Sequence, residues 1–193
     1  MTATDQPTGP VGRGRHVYGP PDAPVTVVEF GDLECPYCRA AAPVLRELVD
    51  TAAGTVRLVF RHFPLFEVHP HALTAALAVE AAASQGAFWP MFDRLVSGPV
   101  DLGDAALRAA ADELGLDGSL VVGEAAQRHG DWVEEDYADG RALDVRGTPT
   151  LFVNDEQFTG QVTLTALRAC VAQALGAGRG APTVGAQRGS PPT

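Results

Sequence analysis

Val25-Thr26-Val27-Val28-Glu29-Phe30-Gly31-Asp32-Leu33-Glu34-Cys35-Pro36-Tyr37-Cys38 is the stretch that decides how this 193-residue chain is read. An apolar run from Val25 to Phe30 leads into two thiols three residues apart, and the helix-forming run Ala40 to Val49 follows. The near-continuous apolar character suits a strand covered on both faces. Pro36 fits the first turn of a helix, where a missing N–H costs nothing. The spacing therefore predicts a helix from about Cys35 to Thr51, with Pro43 inside it as a source of a kink or an unpaired carbonyl. Two thiols at a strand-to-helix junction can alternate between dithiol and disulfide, one attacking and the other resolving. Elsewhere in a chain, the same spacing is more often half of a zinc site.

Outward from this stretch, Val56 to Phe63 alternates well enough for a second strand, closed by Pro64. Residues 69 to about 143 carry no strand signal. Ala72 to Ala83 is strongly helix-forming, Phe88 to Val96 holds an aromatic cluster, and Ala105 to Leu114 repeats apolar residues at helical spacing. Leu120 to Leu143 is a longer amphipathic stretch broken near Gly130. Strand signals return at Pro149 to Val153, then a turn at Asn154-Asp155, an edge strand over Gln157 to Gly160, and a last helix from Thr163 to Leu175. The expected organisation is an arm over residues 1–16, a domain over 17–176 with a helical insertion at about 67–143, and a disordered tail over 177–193.

Composition narrows the classes. An apolar content of 46% is ordinary for a globular domain with a core. A formal net charge of −10 speaks against a nucleic-acid surface. Three cysteines, Cys35, Cys38 and Cys170, make one pair and a remainder, which is no disulfide framework. Cys170 lies mid-helix among Leu167, Val171 and Leu175 and reads as a small core residue. Met1 to Gly14 lacks the apolar stretch of a signal peptide and no segment approaches a membrane span, so the expected location is cytoplasmic. Asp32 and Glu34 precede the thiols and are expected to oppose a thiolate there. His62, His69 and His71 raise a metal site with the cysteine pair, but they read better as a strand end and a helix start, and no metal is expected. Phe63, Phe66, Phe88, Trp89 and Phe92 read as core rather than as the lining of a groove.

Together these features resemble the thioredoxin superfamily, and within it the DsbA-like thiol–disulfide oxidoreductases. The resemblance rests on strand–CxxC–helix, on Glu29 six residues before Cys35, on Gly147-Thr148-Pro149-Thr150 opening a strand, and on helices set between the two halves of the core. It spans about residues 16 to 176. It implies an α/β thioredoxin-like fold, a central mixed sheet flanked by helices with an inserted helical subdomain. It also implies a cis peptide bond at Pro149 and a Thr148 backbone that pairs with an extended substrate. The dipeptide departs from the Pro-His of strongly oxidising members: Pro36-Tyr37 is also the glutaredoxin dipeptide.

The chemistry follows from position. Cys35 at a helix start is expected to be the nucleophile, because unpaired N–H groups and the helix dipole favour thiolate. Cys38, one turn on, is expected to face inward and resolve the mixed disulfide. Pro36 fixes the first turn, and Tyr37 brings no positive charge, so the couple is expected to be less oxidising than a Pro-His one. Glu29, an acid inside an apolar strand, is expected to be buried, to hold a raised pKa and to relay a proton to or from Cys38. The expected activity is disulfide exchange with protein or peptide thiols, sustained by a recycling thiol or disulfide donor. No cofactor beyond the Cys35–Cys38 disulfide is expected. Two alternatives stand beside it: glutathione-linked, glutaredoxin-like reduction, and a redox-sensing or binding module of the kind that works beside membrane transporters.

Overall fold

The structure is a computed structural model and describes residues 9–11, 14–99 and 101–178. A five-stranded sheet in the order β1-β3-β2-β4-β5 runs through it. The strands are β1 (His16–Tyr18), β2 (Val25–Gly31), β3 (Val56–His62), β4 (Thr150–Val153) and β5 (Glu156–Phe158). β2 pairs parallel with β3 and antiparallel with β4, while β1 and β5 close the two edges in antiparallel register. The sheet is thus mixed, with helices on both faces. All seven residues of β2 are buried, as its apolar run requires of a strand in the middle of a covered sheet.

Alternation along β2 sorts its side chains between two cores. Val25 and Val27 pack with Leu45 and Leu48 of α1 (Pro36–Asp50) and with Leu167 and Val171 of α7 (Leu164–Gly178). Val28 and Phe30 face the other way, onto Phe63, Val145 and Phe152. By the same alternation Glu29 shares the face of Val25 and Val27, beneath α1. That one fact sets the chemistry described below.

Between β3 and β4 lie α2 (Ala72–Ala83), α3 (Phe88–Ser97), α4 (Asp104–Glu113), α5 (Gly123–Gln127) and α6 (Gly130–Ala142). Their alanine-rich and aromatic faces build a third core around Val79, Met91, Phe92 and Leu107. α6 closes on the sheet at Gly140, where a Cβ would come within 2.7 Å of the Phe63 ring. α1 runs unbroken through Pro43.

Several boundaries differ from the sequence reading: β3 ends at His62 and not Phe63, β5 covers Glu156–Phe158 and not 157–160, and the two ends of the domain shift further. His16 to Tyr18 form β1, although residues up to 16 read as an arm and residues 17 and 18 as no particular element. Three residues are too few to show a period, and tertiary contacts fix them instead. Arg15 stacks over Trp132 at 4.3 Å and pairs with Asp136. At the other end α7 continues to Gly178. The rest of the expected arm and tail, residues 1–8, 12–13 and 179–193, lies outside the described residues. Among the aromatics, Phe63, Phe88 and Phe92 are core, but Phe66 is 52% exposed and leaves that set.

A buried polar knot ties β1 and β3 to α2. One carboxylate oxygen of Glu80 lies 2.7 Å from His16 Nε2 and 3.0 Å from His62 Nε2. Among the described residues these three form the one group whose donor atoms all lie within 4.8 Å of one another. His16 Nε2 is hydrogen-bonded to that oxygen, whereas His62 Nε2 meets it within contact distance but without hydrogen-bond geometry. The His16 ring also stacks on Phe88, with centroids 3.5 Å apart. Burial pushes the Glu80 pKa up, but its contacts with His16 and His62 prevail and hold it well below the usual carboxylate range. A depressed carboxylate stabilises the fold above its ordinary value of 4.5 and loses that contribution as pH falls further. Glu80→Gln is therefore expected to cost about 2–4 kcal/mol at neutral pH. In chemical denaturation at stepped pH, the gap from wild type should narrow below about pH 4.5. A gap that stays constant into acid would show that the carboxylate charge contributes nothing.

Candidate active site

The turn between β2 and α1 is built by Asp32. Its backbone carbonyl accepts the Cys35 N–H at 3.1 Å, and its own N–H points at Cys38 Sγ at 3.4 Å. Cys35 thus becomes the N-cap of α1, with Pro36 as the first helical residue. Both thiols are free and both residues are only 3% exposed. Tyr37 points outward and is 74% exposed.

The third partner arrives from the far end of the fold. The peptide bond between Thr148 and Pro149 is cis. When protonated, the Cys35 thiol donates to the Thr148 carbonyl at 3.4 Å, across 113 residues of sequence. The Thr148 hydroxyl is buried and has no other formal hydrogen-bond partner, which leaves it free to donate to a sulfur anion.

The two thiols differ sharply in acidity. A hydrogen bond from the Cys38 thiol is the main cause that lowers the Cys35 pKa, to about 5; burial opposes it, and Thr148 and the N–H groups of Cys38 and Tyr37 reinforce it. Burial pushes Cys38 well above the ordinary thiol value, and its bond to Cys35 and the nearby Glu29 push it the same way. Near neutral pH the pair therefore holds one anion, on Cys35, and one proton, on Cys38.

Glu29 lies beneath them, 1% exposed, and neither carboxyl oxygen finds a hydrogen-bond partner among the described residues. Burial raises its pKa to about 8, with a further push from Cys35. Gly31 makes room for it: a Cβ there would come within 2.5 Å of the Phe60 ring and 3.2 Å of Glu29 Oε1. Glu29 is thus placed inside the sheet, under α1, and not at a solvated edge.

The structure brings Glu29, Cys35, Pro36, Cys38, Thr148 and Pro149 together at the C-terminal end of β2 and leaves Tyr37 at the rim. It does not gather the histidines at the thiols. His62 belongs to the Glu80 knot, and the His71 N–H donates to Glu34 Oε2 at 2.6 Å. His69 is different: its Nδ1 lies 2.8 Å from Asp32 Oδ2. The two acids before the thiols are both drawn into this local network. Asp32 also accepts the N–H groups of Glu34 and Leu65, and Glu34 holds His71, so both carboxyls are bound up in local contacts. No local pattern marks a histidine 37 residues away as a partner of Asp32. Cys170 is half-buried on α7 and packs against the core beneath α1, with its pKa raised by burial.

A cleft of about 280 Å³ adjoins this end, lined by Leu65, Phe66, Val68, Tyr137, Arg141 and Arg146. A larger one of about 590 Å³ lies on the far side of α1, between Tyr18, Arg39, Arg46 and Asp93, and neither cysteine lines it. There Arg46 is sandwiched over Tyr18 and Trp89 and paired with Asp93.

Comparison with known proteins places this arrangement. The Na(+)/H(+) antiporter NhaA 1 of Salinispora arenicola is 47% identical over 161 residues, which is 83% of this chain but 24% of that protein. The chain spans about a quarter of the length of the curated relatives it matches. BdbD from Bacillus subtilis in its oxidised form superposes with a TM-score of 0.75 at 24% identity, covering 87% of this chain and 96% of that one. A thioredoxin-like oxidoreductase from Silicibacter pomeroyi gives a TM-score of 0.70 at 33% identity, covering 86% and 93%. The family model described as thioredoxin matches residues 12–173. With its CxxC at the start of α1, its Thr148-Pro149 loop against Cys35 and its helical block between β3 and β4, the chain has the fold of BdbD and belongs to the thioredoxin family.

Proposed function

We propose that the protein is a thiol–disulfide oxidoreductase acting on protein or peptide substrates through Cys35 and Cys38. The observation that carries this reading is the placement of two free thiols at the start of α1, with Cys35 against the cis Thr148-Pro149 loop. One sulfur is an anion ready to attack and the other is a protonated reserve.

In the reducing direction the Cys35 thiolate attacks a substrate disulfide. A Cys35–substrate S–S bond forms, the substrate S–S bond breaks, and one substrate thiolate leaves. Cys38 then gives its proton to the Glu29 carboxylate and attacks Cys35 Sγ. The Cys35–Cys38 disulfide forms, the second substrate thiolate leaves, and the protein has lost two electrons to the substrate. In the oxidising direction a substrate thiolate attacks Cys35 of the disulfide, and the departing Cys38 sulfur takes its proton from Glu29. A carboxyl with a pKa near 8 can serve both directions at neutral pH. An external thiol or disulfide completes the cycle.

The apolar rim formed by Tyr37, Phe66 and Val68 supports an extended peptide as substrate, held at the Thr148 backbone. A Cys35 pKa of about 5 falls between the roughly 7 and roughly 3.5 of weakly and strongly oxidising relatives. The couple should therefore lie between about −270 and about −120 mV. A second setting has its own support. The likeness to one quarter of antiporter-sized proteins fits an exchange or redox-sensing domain working beside an ion transporter.

Insulin reduction with a thiol donor tests the activity. Wild type is expected to turn over, Cys35→Ser to be inactive, and Cys38→Ser to accumulate the mixed disulfide. Turnover by Cys35→Ser at the wild-type rate would refute the assignment, and no turnover by wild type with any donor would favour the sensor. Equilibration against a glutathione series should place the couple inside the stated window.

Glu29 gives an independent check. Its pKa is raised on folding, so the fold loses stability as pH climbs from about 4.5 toward 8. Glu29→Gln should match wild type near pH 4 and exceed it increasingly up to pH 8, by at most about 1.4 kcal/mol for each pH unit. The same variant should slow resolution of the mixed disulfide. Equal stability at all pH values would mean that Glu29 ionises freely in the native state.

A further inference from the structure

We propose that His69 is the positioning residue that supplies, from outside the CxxC, the positive charge beside Cys35 that Pro36-Tyr37 lacks. The inference rests on the reading of Cys35 and Cys38 as the exchange pair.

The CxxC turn has no cation of its own. Tyr37 is uncharged and turned to solvent. Arg39, the first basic residue of α1, gives its guanidinium to the carbonyls of Leu95 and Gly98 at 2.6 and 2.5 Å. Arg146, two residues before Thr148, is engaged with Asp144 at the surface. His69 is the cationic side chain that the fold ties to the turn.

The tie runs through one residue. Asp32 is 3% exposed, and its Oδ2 accepts both His69 Nδ1–H at 2.8 Å and the Leu65 N–H at 2.9 Å. Its Oδ1 accepts the Glu34 N–H at 2.8 Å. The same residue's backbone holds the Cys35 N–H and reaches the Cys38 sulfur. The imidazole is therefore fixed to the residue that shapes the thiol turn. A second strap, from the His71 N–H to Glu34, holds the segment after His69 against the same turn.

Asp32 contacts the ring directly, Glu34 and Cys35 of the β2–α1 turn act on it electrostatically, and Glu67 and His71 are its neighbours along its own loop. Burial pushes the His69 pKa down, but contact with Asp32 and attraction to Cys35 and Glu34 outweigh it, so the ring holds its proton above the ordinary 6.5. The charge is present below that raised value and lost as pH climbs through it. It is thus fully present where Cys35 titrates, near pH 5. A cation beside the thiolate stabilises the reduced protein over the disulfide and makes the couple more oxidising.

Two measurements on the full chain test this without turnover. The first follows thiolate absorbance near 240 nm against pH for the reduced wild type, His69→Gln and His69→Lys. Gln should move the Cys35 midpoint up by about half a pH unit or more. It should also shift the glutathione equilibrium about threefold or more toward the Cys35–Cys38 disulfide. Lys should stay near wild type. A Gln variant that titrates like wild type, or a Lys variant that behaves like Gln, overturns the proposal.

The second needs no variant. Coupling is reciprocal, so His69 followed by NMR should titrate at lower pH in the disulfide form than in the dithiol form. Equal midpoints in the two forms overturn it. Both readouts are separate from exchange activity. A protein that shows the coupling but reduces no substrate keeps this inference and loses the proposed activity, and the reverse result loses only His69.

Discussion

One negative charge, held on the Cys35 sulfur at the start of α1, is the constraint around which this end of the molecule is arranged. Nothing in a cysteine side chain favours ionisation at pH 5. The charge is stable because a thiol, a hydroxyl and two backbone N–H groups converge on it. Each donor comes from a different structural commitment. Cys38 is one turn along the helix, the N–H groups are those left free at the N-terminus, and Thr148 arrives on the loop before β4. Shifting any of these elements leaves a buried or half-buried anion without a partner, which the fold cannot accommodate cheaply.

The same charge explains the oddest feature of the core. Glu29 sits in the middle of the most buried strand with no hydrogen bond to either oxygen. Such a group costs stability, and packing alone gives no reason for a carboxyl there. Its place beneath α1, close enough to Cys38 and Cys35 for the three to shift one another's acidity, gives it a reason. Polar groups elsewhere in the interior are treated differently. Glu80 is shared between His16 and His62, and Arg61 is paired with Asp136 and Asp139. Those clusters fasten strands to helices. Glu29 fastens nothing, and its unsatisfied state leaves it free to exchange a proton.

Much of the fold could be read from local pattern. The strands at Val25 and Val56, the helix over Ala72–Ala83, the break near Gly130 and the Asn154 turn are all set by short-range rules: apolar periodicity, helix propensity and turn residues. β1 escaped because three residues carry no period, and it exists by pairing with β3 and by the anchoring of Arg15 and His16. By sequence Phe66 reads as core, because a phenylalanine beside other aromatics usually is. The loop after β3 turns it outward instead, into the cleft it shares with Val68, Tyr137 and Arg141.

By itself the sequence determined which residues could do chemistry: two thiols at the correct spacing, an acid in the strand before them, and a Thr-Pro at a later strand start. These are covalent facts, fixed by residue type and order. Only the tertiary structure decided what those groups do to one another. The acidity of Cys35 depends in part on a hydroxyl 113 residues away. Asp32 and Glu34 stand next to the thiols in the chain, but their partners, the His69 ring and the His71 N–H, lie 37 residues away. Electrostatic interactions act through space and fall off within a few ångströms, so distance in the fold, and not distance along the chain, sets their sign and strength.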